Sequence, residues 1–189
     1  MNFVQAVQVL SDAEVEFAII GRWSAIMHGS AHLTSDLNLC YSRAGVNLQR
    51  LARALAPYHP RPAGFPSGLP FIWDERTLNS GTVFTPDTDL GRIDLLSEVS
   101  GLGDWSEIRK CCVRVPAFDR EVWTLDLPSL IRAKRAAGRP KDLLVLPELE
   151  SLLEAANDSG VIRSDPDQFY FMVEHVPCEC SFGQAIRVA

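Results

Sequence analysis

The chain has 189 residues, 47 % of them hydrophobic and 22 % charged, and a formal net charge of −6. That is ordinary for a soluble globular domain and long enough for a sizeable core. The acidic total does not imply broad electrostatic attraction to nucleic acid, although a local basic patch could still serve. No apolar run approaches the roughly 20 residues of a membrane span. The start, Met1-Asn2-Phe3-Val4-Gln5, lacks the basic and apolar blocks of a signal peptide, so a cytoplasmic location is expected.

An odd set of five cysteines (Cys40, Cys111, Cys112, Cys178, Cys180) without a secretory signal implies reduced thiols. Cys178-Glu179-Cys180 beside His175 is not the spacing of a usual zinc knuckle, and no second pair lies nearby.

In chain order, apolar residues at helical spacing predict a first helix over Asn2–Ala13, packed across a sheet. Phe17–Ile20 reads as a buried strand. Gly21 breaks it and opens a short amphipathic segment, Trp23–Met27, that Gly29 ends. Asp36–Tyr41 alternates like a second strand, with Asp36 and Asn38 on one face and Leu37 and Leu39 on the core face. Asn47–Ala56 is an amphipathic helix stopped by Pro57. The Pro- and Gly-rich stretch Pro57–Pro70 predicts a surface loop, with a place beside the functional cleft or no role at all. Phe71–Trp73 and Thr82–Thr85 read as strand fragments. Leu90–Ser97 is a strand with Asp94 opposite Ile93 and Leu95. Asp104–Arg109 suggests a short helix, and Val113–Val115 and Glu121–Leu125 two strands. Asp126 as N-cap, Pro128 and Gly138 bound a helix ending at Ala137. Lys141–Ala156 is a second helix with an apolar face of Leu143, Leu146, Leu149, Leu152 and Leu153, broken or restarted at Pro147. The expected division is a domain over 1–156 and an extension over 157–189, which docks on the core or pairs with another chain.

The order Phe17–Ile20 strand, Gly21, His28-Gly29, Thr34 and Asp36, then Asp94, then Leu130–Asp142, resembles the nucleotidyltransferase superfamily that includes DNA polymerase β. It is most similar to small bacterial abortive-infection-type and minimal nucleotidyltransferases, over roughly residues 3 to 156. The resemblance implies an α/β fold with a mixed, mainly antiparallel sheet flanked by helices. It also implies Mg²⁺, or Mn²⁺ in its place, held by Asp36, Asn38 and Asp94, with Asp36 and Asp94 as the catalytic carboxylates. Two departures stand out: Arg22 replaces the second small residue of the turn, and Asn38 replaces the second carboxylate, offering an acceptor oxygen without charge.

Gly21 lets backbone approach a phosphate, Arg22 is placed to contact or to block it, and Ser24 is a candidate hydroxyl donor. Lys134, Arg135, Arg139 and Lys141 form the densest basic cluster. Lys134 is the candidate triphosphate contact, against the alternative that cations near a helix C-terminus complement its dipole. His28 and His32 are four apart, but Gly29 and Ser30 intervene. The expected function is Mg²⁺-dependent transfer of a nucleotide from an NTP to a hydroxyl of RNA, protein or a small molecule. The alternative is a binding or antitoxin-like regulatory module that keeps the fold and has lost catalysis.

Overall fold

The computed structural model describes residues 2–31, 34, 36–66 and 69–158. Helix α1 (Phe3–Asp12) starts at Asn2, whose side chain accepts from the Gln5 N–H, and it buries Ala6, Val7 and Leu10. Strand β1 (Phe17–Ile20) is buried throughout, as its unbroken apolar run demands. It passes directly into α2 (Gly21–Met27). Strand β2 (Leu37–Tyr41) follows, then α3 (Gly45–Leu55), closed by a single turn of 3₁₀ helix over Ala56–Tyr58.

The middle of the chain is made of short pieces. These are β3 (Arg61–Pro62), α4 (Glu75–Asn79), β4 (Val83–Phe84), β5 (Pro86–Thr88), the longer β6 (Gly91–Leu96), and the hairpin β7 (Glu98–Val99) and β8 (Gly103–Asp104). Helix α5 (Trp105–Ile108) and a 3₁₀ turn lead to the hairpin β9 (Cys112–Ala117) and β10 (Arg120–Leu125). Helix α6 (Leu127–Ala137) is capped by Asp126, which accepts from the Ser129 N–H at 2.7 Å. It ends at Gly138, whose φ of +64° suits glycine. Helices α7 (Pro140–Leu143) and α8 (Leu146–Asp158) complete the described chain.

The main sheet runs β3-β5-β6-β2-β1-β10-β9, with β4 also on β6. Pairs β1/β10 and β2/β6 are parallel and the others antiparallel, so the sheet is mixed and mainly antiparallel. Alternation sorts the central strands onto two faces. Phe17, Ile19, Leu37, Leu39, Ile93 and Leu95 pack with α1 and α3. Ile20, Cys40 and Leu125 pack with α6 and α8. Burial pushes the Cys40 thiol up to about 12, so it behaves as a small core residue. No helix among the described residues is long and apolar enough to cross a membrane.

Several expectations need correction. The Pro-rich stretch is not featureless, because Arg61 and Pro62 pair with Asp87 and Pro86 at the sheet edge. That edge tolerates a residue without an N–H. Phe71–Trp73 is not a strand; Asp74 instead caps α4, accepting from the Thr77 N–H at 2.8 Å. The helix expected over Lys141–Ala156 does restart near Pro147, as two helices with Pro147 in the first turn of the second, but the first piece is only Pro140–Leu143. Leu143 therefore lies outside the apolar face and is exposed. The cysteine pair near His175, the residues beyond Asp158 and His32 lie outside the described residues.

Candidate active site

The site is built where the end of β1, the start of β2 and the middle of β6 meet residues of α6 and α7. Asn38 is the register partner of Ile20 on one side and of Asp94 on the other. Partners on adjacent strands project from the same face, so Asn38 and Asp94 stand side by side, opposite the α1/α3 layer. Asp36, Asn38 and Asp94 all line one cleft of roughly 360 Å³. Asp94 Oδ1 accepts from the Thr85 hydroxyl at 2.8 Å, which fixes its carboxylate. Thr34, also at the cleft, hydrogen-bonds through Oγ1 with the Asp36 backbone N–H at 3.2 Å.

Gly21 and Arg22 line the same cleft. The backbone of Gly21 has a φ of +69°, and a Cβ there would come within 3.2 Å of Asn38 Nδ2. The close approach that the sequence suggested for a ligand is thus used, in this structure, by the amide of Asn38. Ser24 is not at the cleft. It is fully buried, and its hydroxyl is hydrogen-bonded to Thr124 Oγ1 at 2.8 Å. The helix begins at Gly21 rather than at Trp23, so Ser24 lies in its first turn and faces β10.

The opposite wall is basic. Lys134, Arg139 and Lys141 line it, while Arg135 pairs with Glu150 on α8 instead. Lys134 Nζ lies 2.7 Å from Asp142 Oδ1, and Arg139 Nε binds the other oxygen of that carboxylate. Asp142 is 1 % exposed. Burial pushes its carboxyl up, but the hydrogen bonds from Lys134 and Arg139 outweigh this and hold it below its usual value. The floor between the walls is apolar, with Ile20, Leu96, Val99, Leu125, Leu130 and Ala133. Glu98, Val99 and Ser100 bring the β7–β8 hairpin to the rim. Gly101 sits so close to α6 that a Cβ on it would lie 2.6 Å from that of Ala136.

His28 is not part of the cleft. Its Nε2–H donates to the Leu125 carbonyl at 2.7 Å, and burial holds its pKa below the usual value. This bond ties the end of α2 to the end of β10.

Sequence reasoning missed Thr85, Glu98 and Asp142. Asp142 carried a signal, since it stands three residues after Arg139 beside a Gly-terminated basic helix. Thr85 and Glu98 reach the cleft only through the pairing of β4 with β6 and the β7–β8 turn-back, which no local pattern announces.

No protein-family model matches the chain, and no curated protein does at a significant level. Among solved structures, it is similar to a Thermotoga maritima protein named as a "putative nucleotidyltransferase". The identity is 13 % and the TM-score 0.49, over 84 % of this chain and 96 % of that one.

The donor set can be judged on its own chemistry. Asp36 and Asp94 offer carboxylates and Asn38 a neutral amide oxygen, all hard donors. Among the described residues, no group of three or more His, Cys, Asp and Glu side chains is arranged to hold a metal ion. The set suits one divalent cation such as Mg²⁺ and is short of charge for two.

Proposed function

We propose that this protein is nucleotidyltransferase-like and that its cleft takes a nucleoside triphosphate with Mg²⁺. Transfer of the nucleotide would be to a hydroxyl of RNA, protein or a small molecule. The observation that carries the reading is the pairing of Asn38 with Asp94 on the cleft face, across from Lys134, Arg139 and Lys141. A cleft that carries Asp36, Asn38 and Asp94 on the strands, Lys134, Arg139 and Lys141 with Asp142 on the helix side, and apolar residues besides suits a metal-bound polyphosphate carrying a base. Asp36, Asn38 and Asp94 would hold the cation, which supplies charge neutralisation at the phosphate under attack. Lys134 and Arg139 offer donors to phosphate oxygens, and the apolar floor accepts the flat face of a base.

A second reading is favoured by one specific contact. Asn38 packs against Gly21 and brings no charge, which suits a site that binds nucleotide and has lost transfer. Labelled-NTP transfer with Mg²⁺ or Mn²⁺ into a pool of RNA and protein acceptors separates the two. Label incorporation that Asp36→Ala abolishes supports the transferase. Saturable NTP binding without incorporation, by wild type and by Asn38→Asp, supports the binding module. Absence of NTP binding by both sinks both readings.

A further inference from the structure

The second concentration of cations in this acidic chain lies outside the cleft, around Trp123. The guanidinium carbon of Arg109 is 3.4 Å from the centre of the Trp123 ring, and that of Arg114 is 4.7 Å from it. Arg114 is the register partner of Trp123 across the β9/β10 pair, so both stand on one sheet face. Arg132 on α6 closes the group, donating to Cys111 Sγ at 3.6 Å. Arg109, Arg114 and Arg132 are exposed, and none forms an ion pair among the described residues. The neighbouring acids in sequence have other partners or stand alone: Glu107 is committed to Lys110 at 2.8 Å, Asp104 and Asp126 cap α5 and α6, and Glu121, on the Trp123 face of β10, is exposed.

We propose that this face binds single-stranded nucleic acid. Exposed arginines left without carboxylates call for a polyanion, and guanidinium planes stacked with an indole present flat surfaces on which bases stack. Two features argue against a protein strand adding to the same edge. β9 ends the sheet, and it carries the charged Arg114 and the N–H-less Pro116, both of which discourage strand addition.

The patch is also continuous with the cleft. Leu125 lines the cleft and Trp123 stands two residues earlier on the same strand face, about 7 Å away. Arg132 precedes the cleft residue Lys134 by two positions on α6. A strand lying on the patch has an end within reach of the cleft. The inference does not depend on nucleotidyl transfer, because the binding is measured with no nucleotide and with metal chelated.

The test is fluorescence anisotropy of the full chain with labelled single-stranded oligonucleotides of about 16 nucleotides, RNA and DNA in separate arms. The expected result is binding that weakens as salt rises. Arg109→Ala/Arg114→Ala should weaken it about tenfold and lower the salt slope by about two. Quenching of tryptophan emission by the oligonucleotide should be lost in Trp123→Phe. Tighter RNA than DNA binding assigns the face to RNA, and the reverse to DNA. No binding at low salt overturns the proposal. So does binding that the double variant leaves unchanged while its melting curve matches wild type. Equal competition by an acidic peptide of the same charge overturns it in favour of an acidic protein partner.

Discussion

Gly21 and Asn38 are packed so closely that a Cβ on Gly21 would stand 3.2 Å from the Asn38 amide nitrogen and 3.3 Å from its Cβ. The backbone at Gly21 is also left-handed, with a φ of +69°. The two constraints act together. Gly21→Ala should destabilise the protein by about 1–3 kcal/mol, through backbone strain and the crowded contact. Urea denaturation of Gly21→Ala, Asn38→Ala and the double variant measures this. The double variant should recover only the part of the contact made by the Asn38 amide, since alanine keeps the Cβ at 3.3 Å, and remain less stable than Asn38→Ala. Full additivity would show that the two side chains do not press on each other.

Asp142 holds both Lys134 and Arg139 while almost wholly buried. Asp142→Ala should cost about 3 kcal/mol, because it leaves Lys134, whose side chain is only 12 % exposed, with its charge unpaired. The folded carboxyl is held below its usual value, so its stabilisation is complete above the unfolded value of 3.8 and is lost as pH falls through the folded one. Wild type should therefore lose stability in acid more steeply than Asp142→Asn. Equal slopes below about pH 4 would contradict the pairing.

His28 gives a second pH signature in a separate window. Burial lowers its pKa in the folded state, where Nε2–H donates to Leu125. An unfolded histidine titrates near 6.5. Protons bound only by the unfolded chain make stability full above that value and lower as pH falls toward the depressed folded one. His28→Gln, which cannot take up the proton, should flatten this part of the profile. Denaturation midpoints between pH 7.5 and pH 5 check it, and a variant that keeps the wild-type slope would rule His28 out as its source.

The alternation of Asp36–Tyr41 and of Leu90–Ser97 was enough to place Leu37, Leu39, Ile93 and Leu95 in the core, because a period of two leaves one choice once a face is buried. The same pattern put Asn38 and Asp94 on the other face, but only the parallel pairing of β2 with β6 makes them neighbours. The caps at Asp126 and Gly138 were legible because they are local. Lys134 was legible as a cation in a last turn and not as half of a buried pair. Its partner lies eight residues on, across the turn at Gly138. Ser24 was misplaced because α2 begins two positions earlier than expected, at Gly21 rather than Trp23, and each position turns a side chain by about 100°. The Trp123 stack was missed altogether, since Arg109 reaches it from outside the strand pair.

Asn38→Asp separates the two readings of the cleft most directly. The substitution keeps the side-chain shape and adds a carboxylate beside Asp94, its register partner, with Asp36 lining the same cleft. Without metal, the added like charge should lower stability by about 1 kcal/mol and make that loss sensitive to salt. With Mg²⁺ present, the same charge becomes a ligand. Thermal melts should then show a larger Mg²⁺-dependent rise for the variant than for wild type, consistent with affinity increased about tenfold. Calorimetry with Mg²⁺ and a non-hydrolysable NTP reads the affinity without requiring transfer or a known acceptor. Increased affinity together with new incorporation identifies Asn38 as what limits catalysis. Increased affinity without incorporation leaves a nucleotide-binding site limited elsewhere, with Arg22 at the cleft as the next position to change. If Mg²⁺ stabilises wild type and variant equally, position 38 is not a metal position, and the acidic wall has another use.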